Sequence, residues 1–282
     1  MKKYCFIILL CAYPMTAFSA SPIKTNVSAG YTYDDNVTRA EFDNDIESDS
    51  ILSLDASAAY TIPANDKSYF SLKGTLDVNR YLDFTKLSNT LIGIHGSYHI
   101  RPFTGYTATR FIGQLSYEER LFGSEQREGS ATRILLGLSK RITDLFSLRA
   151  GFIKEDIDAN SIVFDADNNR FYLDLDYRLN AKNNLYATIG YLDGNLVTTA
   201  RDGLGIDYEY WVVDDAFEDL SPLRWAYKLS GNALTLRVGD SFTIDSRSAL
   251  DGSILYYDSE ADNYAGSKYT GFIYSVSYLY RF

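Results

Sequence analysis

Apolar and polar residues alternate along most of the chain with a period of two, which is the period of a β-strand and not of a helix. Between positions 171 and 179 every odd residue is Phe, Leu or Tyr, whereas most even residues are charged. The stretches 68–79, 146–155 and 272–282 show the same alternation. Twelve such segments are predicted: 24–33, 50–62, 67–81, 87–100, 105–118, 130–142, 144–155, 169–180, 184–196, 224–244, 249–259 and 268–282.

The segment lengths and the connections between them favour a membrane barrel. Most segments have 10 to 14 residues, enough to cross a bilayer as tilted strands. Short turns alternate with connections that are mostly longer. Because the number of predicted strands is even, both termini are expected on the side of the short turns. We therefore predict an all-β fold, a closed antiparallel up-and-down transmembrane β-barrel of about 12 strands. A soluble secreted β-sandwich is the alternative that alternation alone leaves open.

The N-terminus has the pattern of an export signal. Basic Lys2 and Lys3 precede an apolar stretch at 4–13, and Ala17-Phe18-Ser19 forms a small-x-small cleavage site. We predict a signal peptide at 1–19 and an outer-membrane β-barrel at 20–282. A lipoprotein signal is the alternative, because Cys11 follows Leu9 and Leu10.

Composition narrows the chemistry that the chain can support. Both cysteines lie within the first eleven residues, and His95 and His99 are the only histidines, so we expect no metal site and no cofactor. A net charge of −10 disfavours nucleic acid as a partner. We predict that the chain is not an enzyme. The two histidines share one strand face with Ser97, so an outer-membrane hydrolase is the alternative.

The last strand carries a family resemblance. Residues 274–282 place Tyr, Val, Tyr and Tyr at every second position before the terminal Phe282. This pattern resembles the C-terminal signature of bacterial outer-membrane barrels, which implies recognition of Phe282 by the barrel-insertion machinery and an environment of outer-membrane lipids. The opening stretch 29–37 resembles porin-like barrel families and is similar to the barrel domain of surface lipoprotein assembly modifiers. Neither resemblance brings a catalytic motif.

Charge is distributed unevenly between the predicted loops and strands. The loops 34–49, 156–168, 197–223 and 258–267 contain 21 acidic residues and only two basic ones, Arg39 and Arg201. The polar strand face, which we predict to line the lumen and to set solute selectivity, is rich in basic residues. The candidates are Lys73, Arg110, Arg133, Arg149, Arg178 and Arg237, together with Asp77, Asp174 and Asp176.

Two interpretations of these charges remain open. A basic lumen attracts anions, because fixed guanidinium groups in a narrow pore select by sign. Alternatively, the charges pair across the lumen and hold it shut. The long loop 197–223, with Trp211, Asp214, Asp215 and Phe217, is predicted to constrict the mouth or to make contacts.

The leading hypothesis is an outer-membrane, porin-like channel for small hydrophilic solutes, with anions favoured. The alternative is a non-conducting structural or accessory barrel in surface polysaccharide or lipoprotein export.

Overall fold

The computed structural model describes residues 23–200, 213–215, 225–261 and 268–282, and most of these lie in β-strands. Thirteen strands occur in this part of the chain: β1 Ile23–Asp34, β2 Asp49–Asn65, β3 Ser68–Tyr81, β4 Asn89–Ile100, β5 Arg110–Phe122, β6 Gly129–Arg141, β7 Phe146–Ala159, β8 Ala166–Arg178, β9 Asn183–Ala200, β10 Val213–Asp215, β11 Trp225–Thr243, β12 Ser248–Ala261 and β13 Lys268–Arg281.

Twelve of these strands close into one antiparallel barrel, which confirms the predicted fold class. Consecutive strands pair from β1 to β9, β9 then pairs with β11, and β13 pairs back with β1. The three-residue β10 pairs with the loop end of β11 and takes no part in the closure. Because the ring is closed, no strand edge is left along the wall, as the interior of a bilayer requires.

The outer face of the barrel is apolar, whereas the inner face is polar. On β5, Phe111, Leu115 and Tyr117 are exposed, and Leu115 keeps 59% of its surface accessible. Aromatic pairs also stand on the outside, such as Phe70 with Tyr98, whose ring centroids are 4.8 Å apart. A soluble protein would bury such side chains, so the exposed apolar surface favours lipid as the surroundings of the barrel.

Short turns occupy one rim of the barrel and longer loops the other. We call these rims the turn side and the loop side. On the turn side, for example, Thr143 Oγ1 accepts hydrogen bonds from the backbone amides of Leu145 and Phe146, which fixes the turn between β6 and β7. On the loop side, two short 3₁₀ helices, Thr85–Leu87 and Glu125–Arg127, follow β3 and β5.

No helix in residues 23–200, 213–215, 225–261 and 268–282 is both long and apolar enough to cross a membrane.

The observed strand ends differ from the predicted ones at several positions. Residues 105–109 were predicted to begin a strand, but β5 begins at Arg110, because Gly105 has a φ of 110° and belongs to a turn. At the loop side, β9 continues to Ala200, four residues beyond the predicted end, because it pairs with β11 as far as Trp225. The predicted signal peptide lies outside the described residues and stays a prediction.

Candidate functional site: the barrel interior

The nine lumen candidates all occupy positions on the inner face of the barrel wall. Their register partners show this, because each faces another inner residue across the sheet: Lys73 pairs with His95, and Arg149 pairs with Asp174. The candidates are distributed over six strands: Lys73 and Asp77 on β3, Arg110 on β5, Arg133 on β6, Arg149 on β7, Asp174, Asp176 and Arg178 on β8, and Arg237 on β11.

Arg133 belongs to a row of alternating charges across four neighbouring strands, which we call the charge ladder: Glu118, Arg133, Glu155 and Arg170. Two guanidinium nitrogens of Arg133 donate to Glu118 at 3.1 and 3.2 Å, and its Nε donates to Glu155 at 2.6 Å. Arg170 donates to the other oxygen of Glu155 at 2.8 Å. The side chain of Glu155 is only 4% exposed, so the ladder ties these strands together and offers little free charge to a solute.

A second ion-pair cluster uses three more of the predicted residues. Arg149 lies 3.5 Å from Asp174 and 3.3 Å from Asp176, and Thr188 donates a hydrogen bond to Asp174 at 2.8 Å. The charges in this cluster neutralise each other in part. The interpretation in which lumen charges pair across the wall therefore applies to Arg133, Arg149, Asp174 and Asp176.

The other predicted residues are not paired in this way. In the described part of the chain, Lys73, Arg110, Arg178, Arg237 and Asp77 make no ion pair. The guanidinium of Arg110 instead lies 5.9 Å from the ring centre of Tyr69. Four basic residues and one acidic residue of the predicted set thus keep their charge available to a solute.

A cavity of about 510 Å³ occupies the turn side of the interior. Its polar lining includes Lys73, Arg281, Asp55 and Asp77, which come from β2, β3 and β13. Hydroxyl groups fill the space between these charges, and Ser28 donates a hydrogen bond to Asp55 at 2.8 Å. The cavity can hold water and small polar solutes, because charged and hydroxyl groups surround it.

The histidines lie within this polar inner wall. His95 is within hydrogen-bond distance of two hydroxyl groups, with its Nδ1 2.9 Å from Ser116 and its Nε2 3.1 Å from Thr75. His99 stacks on Tyr69 with the ring centres 4.4 Å apart.

The loop side of the interior is covered by residues 35–48, which we call the first loop. The loop leaves β1 and reaches across the mouth to β9, where Thr199 donates to the carbonyl of Thr38 at 2.5 Å and Thr198 donates to the carbonyl of Arg39 at 2.8 Å. Val37 of this loop packs in a buried apolar cluster with Phe84, Leu87, Val163 and Ala226. Segments that lie far apart in the sequence thus form a common cover over the mouth.

Arg39 holds the first loop to the barrel wall. Its guanidinium donates to both carboxylate oxygens of Asp34 at 2.9 and 2.6 Å and to the Tyr257 hydroxyl at 2.7 Å. Burial disfavours its charge, but the hydrogen bond and negative charge of Asp34 outweigh this, so the pKa of Arg39 is raised. Arg39 also has a φ of 53°, a left-handed conformation that costs a non-glycine residue about 1–2 kcal/mol. Strain of this kind often occurs at functional sites.

The sequence predicts a constriction or a contact surface in another segment, loop 197–223. Of the residues named there, Trp211 and Phe217 lie outside the described residues, while Asp214 and Asp215 lie in strand β10. The role of the first loop was missed. Its local signal is Arg39, the one basic residue in a stretch that is rich in acidic residues.

The fold is shared with outer-membrane channels of known structure. The COG4313 outer membrane channel from Pseudomonas putida F1 superimposes with a TM-score of 0.60 at 9% identity, over 93% of this chain and 97% of that one. The KdgM porin gives 0.48 at 10% identity, over 91% and 99%, and the NanC porin gives 0.47 at 9% identity, over 92% and 100%. The chain therefore shares its fold, a closed antiparallel barrel of twelve strands, with the COG4313 outer membrane channel.

No protein-family model and no curated protein matches the sequence. The identities to the solved structures are low, so the shared feature is the fold alone.

Proposed function

We propose that this chain is an outer-membrane channel that passes small hydrophilic solutes and prefers anions. The observation that carries the proposal is the imbalance of free charge on the inner wall, where four predicted basic residues but only Asp77 among the predicted acids lack an ion pair within the described residues. Fixed cations in a confined aqueous space raise the local concentration of anions. The apolar outer face supports an outer-membrane location in contact with lipid.

Planar-bilayer recordings of the refolded protein under a KCl gradient test the selectivity. The wild-type reversal potential should report chloride as the preferred ion. The double variant Lys73→Gln with Arg237→Gln should reduce this preference for chloride, because each substitution removes an unpaired positive charge from the inner wall. The matched control is Lys154→Gln, since Lys154 lies on the outer face and pairs with Asp167. Cation selectivity in the wild type would contradict the proposed preference.

The covered mouth supports a second candidate, a non-conducting accessory barrel in surface polysaccharide or lipoprotein export. The supporting observation is the buried apolar cluster of Val37 with Phe84, Leu87, Val163 and Ala226, which holds the first loop against other segments on the loop side. A silent bilayer with correctly folded protein, together with a specific export partner recovered after cross-linking in cells, would favour this candidate over the channel.

A further inference from the structure

A second cavity, of about 320 Å³, lies directly beneath the first loop. We call it the loop-side cavity. Val37, Thr38 and Arg39 form its roof, and its walls come from β3, β4, β5 and β9 together with the loops after β3 and β5. Among the described residues, the two cavities have no lining residue in common. Its volume lies at the lower end of the range found for small-molecule sites.

The charged side chains that line the loop-side cavity are all basic among the described residues. Arg39, Arg120 and Arg127 line it, and no Asp or Glu does so among the residues whose positions are described. Arg39 is committed to Asp34. Arg120 is not committed in the same way, because its Nε is 3.9 Å from the nearest oxygen of Glu118, which already accepts two hydrogen bonds from Arg133.

The Nε of Arg120 is buried and has no hydrogen-bond acceptor within the described part of the chain. A buried donor of this kind is costly unless a ligand or water completes it. A carboxylate is the acceptor that a guanidinium binds best, since its two oxygens match two N–H groups. The unfilled donor therefore points to an anionic ligand.

Five of the other residues that line the loop-side cavity are apolar: Val37, Leu87, Leu91, Phe122 and Val197. The rest of the lining is polar and consists of Thr38, Asn79, Tyr81, Asn89 and Thr199. The guanidinium of Arg120 lies 5.3 Å from the ring centre of Phe122, so cationic and apolar surfaces meet at one place. An anion with an apolar body would gain by burial against the five apolar side chains, and an inorganic ion has no apolar surface to bury there.

We propose that the loop-side cavity binds small carboxylates with an apolar or aromatic body, with the carboxylate at Arg120 and Arg127 and the apolar part against Leu91 and Phe122. This inference rests on the proposed channel function and names its substrate class. The turn-side cavity differs, because Asp55, Asp77 and Asp245 add negative charge to its lining. The loop-side cavity is therefore where the carboxylate and its apolar body are recognised together, whereas the charges elsewhere on the inner wall set the general preference for anions.

Isothermal titration of the folded full chain in detergent tests the proposal with three probes. Benzoate carries both features, benzamide has the same shape without the charge, and acetate has the charge without the ring. Benzoate should bind saturably, and benzamide and acetate should each bind at least tenfold more weakly. A tenfold loss of affinity is the effect expected when one charge-assisted hydrogen bond or one apolar contact surface is lost. Equal binding of benzoate and benzamide, or no binding of benzoate, would overturn the proposal.

Variants locate the site. Arg120→Gln should weaken benzoate at least tenfold, whereas Arg281→Gln, which removes an arginine from the turn-side cavity, should leave its affinity unchanged. Arg127→Gln provides an independent variant in case loss of Arg120 impairs folding, and the mobility of unheated protein on a gel confirms the closed barrel in each. An equal effect of Arg281→Gln would overturn the assignment to the loop-side cavity.

Conductance in KCl separates this inference from the proposed function. A protein that conducts ions but does not bind benzoate refutes the carboxylate site and leaves the channel standing. A protein that binds benzoate with the expected variant pattern but remains silent refutes the channel, and the same site then belongs to a non-conducting barrel.

Discussion

Replacing Arg39 by Ala should release the first loop from the mouth of the barrel. The substitution removes two hydrogen bonds to Asp34 and one to Tyr257, and it leaves a carboxylate whose side chain is only 4% exposed without its counter-ion. Breaking a buried ion pair from one side costs about 3–5 kcal/mol. Because 31% of the Arg39 side chain is exposed, we take the lower end, about 3 kcal/mol.

This loss should shift the equilibrium between the closed and the open first loop about 100-fold toward the open state, since each 1.4 kcal/mol is a factor of ten. Cleavage by a glutamate-specific protease measures the shift, because Glu41 and Glu47 lie within the loop and the substitution does not touch either site. The backbone of Glu47 is held in the closed loop, where its carbonyl accepts from Val37 at 2.8 Å. Cleavage that depends on loop opening should therefore accelerate about 100-fold.

Two further variants provide the controls for this experiment. Arg178→Ala removes an inner-face arginine without an ion pair in the described residues and should leave the cleavage rate unchanged. The double variant Asp34→Ala with Arg39→Ala should open less than Arg39→Ala alone, because no buried charge is left behind. If Arg39→Ala is cleaved at the wild-type rate, the ion pair does not hold the loop and our reasoning about the covered mouth is wrong.

Three other predictions follow from the ladder, the outer face and the C-terminus. Arg133→Gln leaves two buried glutamates without their shared partner and should destabilise the refolded barrel by about 3–5 kcal/mol in a urea titration, whereas a change below 1 kcal/mol would show that the ladder is not structural. Leu115→Arg, on the lipid side of β5, should lower the free energy of unfolding by about 2–4 kcal/mol in the same titration. Gln114→Arg, at the neighbouring position on the lumen side, should lower it much less. An equal loss of stability in the two variants would contradict the assigned faces. Phe282→Ala should slow insertion into the outer membrane in cells but leave refolding into detergent unchanged. Both are measured on a gel as the fraction of unheated protein that has the mobility of the folded barrel. Insertion of the variant at the wild-type rate would refute recognition of the terminal residue.

The alternation of residues was sufficient to predict the barrel wall. On β5 the apolar residues at 111, 115 and 117 face outward and Glu118 faces inward, as the period of two requires. The count of twelve barrel strands follows from the same pattern, since each strand must be long enough to cross the bilayer. The predicted strand ends on the loop side were less accurate, because strand pairing there continues beyond the length that is needed to cross the membrane.

The partners of the inner charges were not available from the sequence. Arg133 and Arg237 look alike in the alternation pattern, yet the first bridges two glutamates and the second has no ion pair within the described residues. Which case applies depends on the side chains that neighbouring strands place at the same height, and this depends on register. A shift of two residues in one strand would keep every side chain on its face and still exchange the partners.

Local alternation along a single strand is therefore enough to predict the two faces, the number of crossing strands and the excess of basic residues inside. Which charges are neutralised and which loop covers the mouth depend instead on how distant strands meet in the closed barrel. The contact between Thr38 and Thr199 spans 161 positions, and Arg39 reaches Tyr257 over 218. Such contacts are fixed by closure of the whole ring, which brings β1, β9 and β12 around one lumen, and no local pattern encodes them.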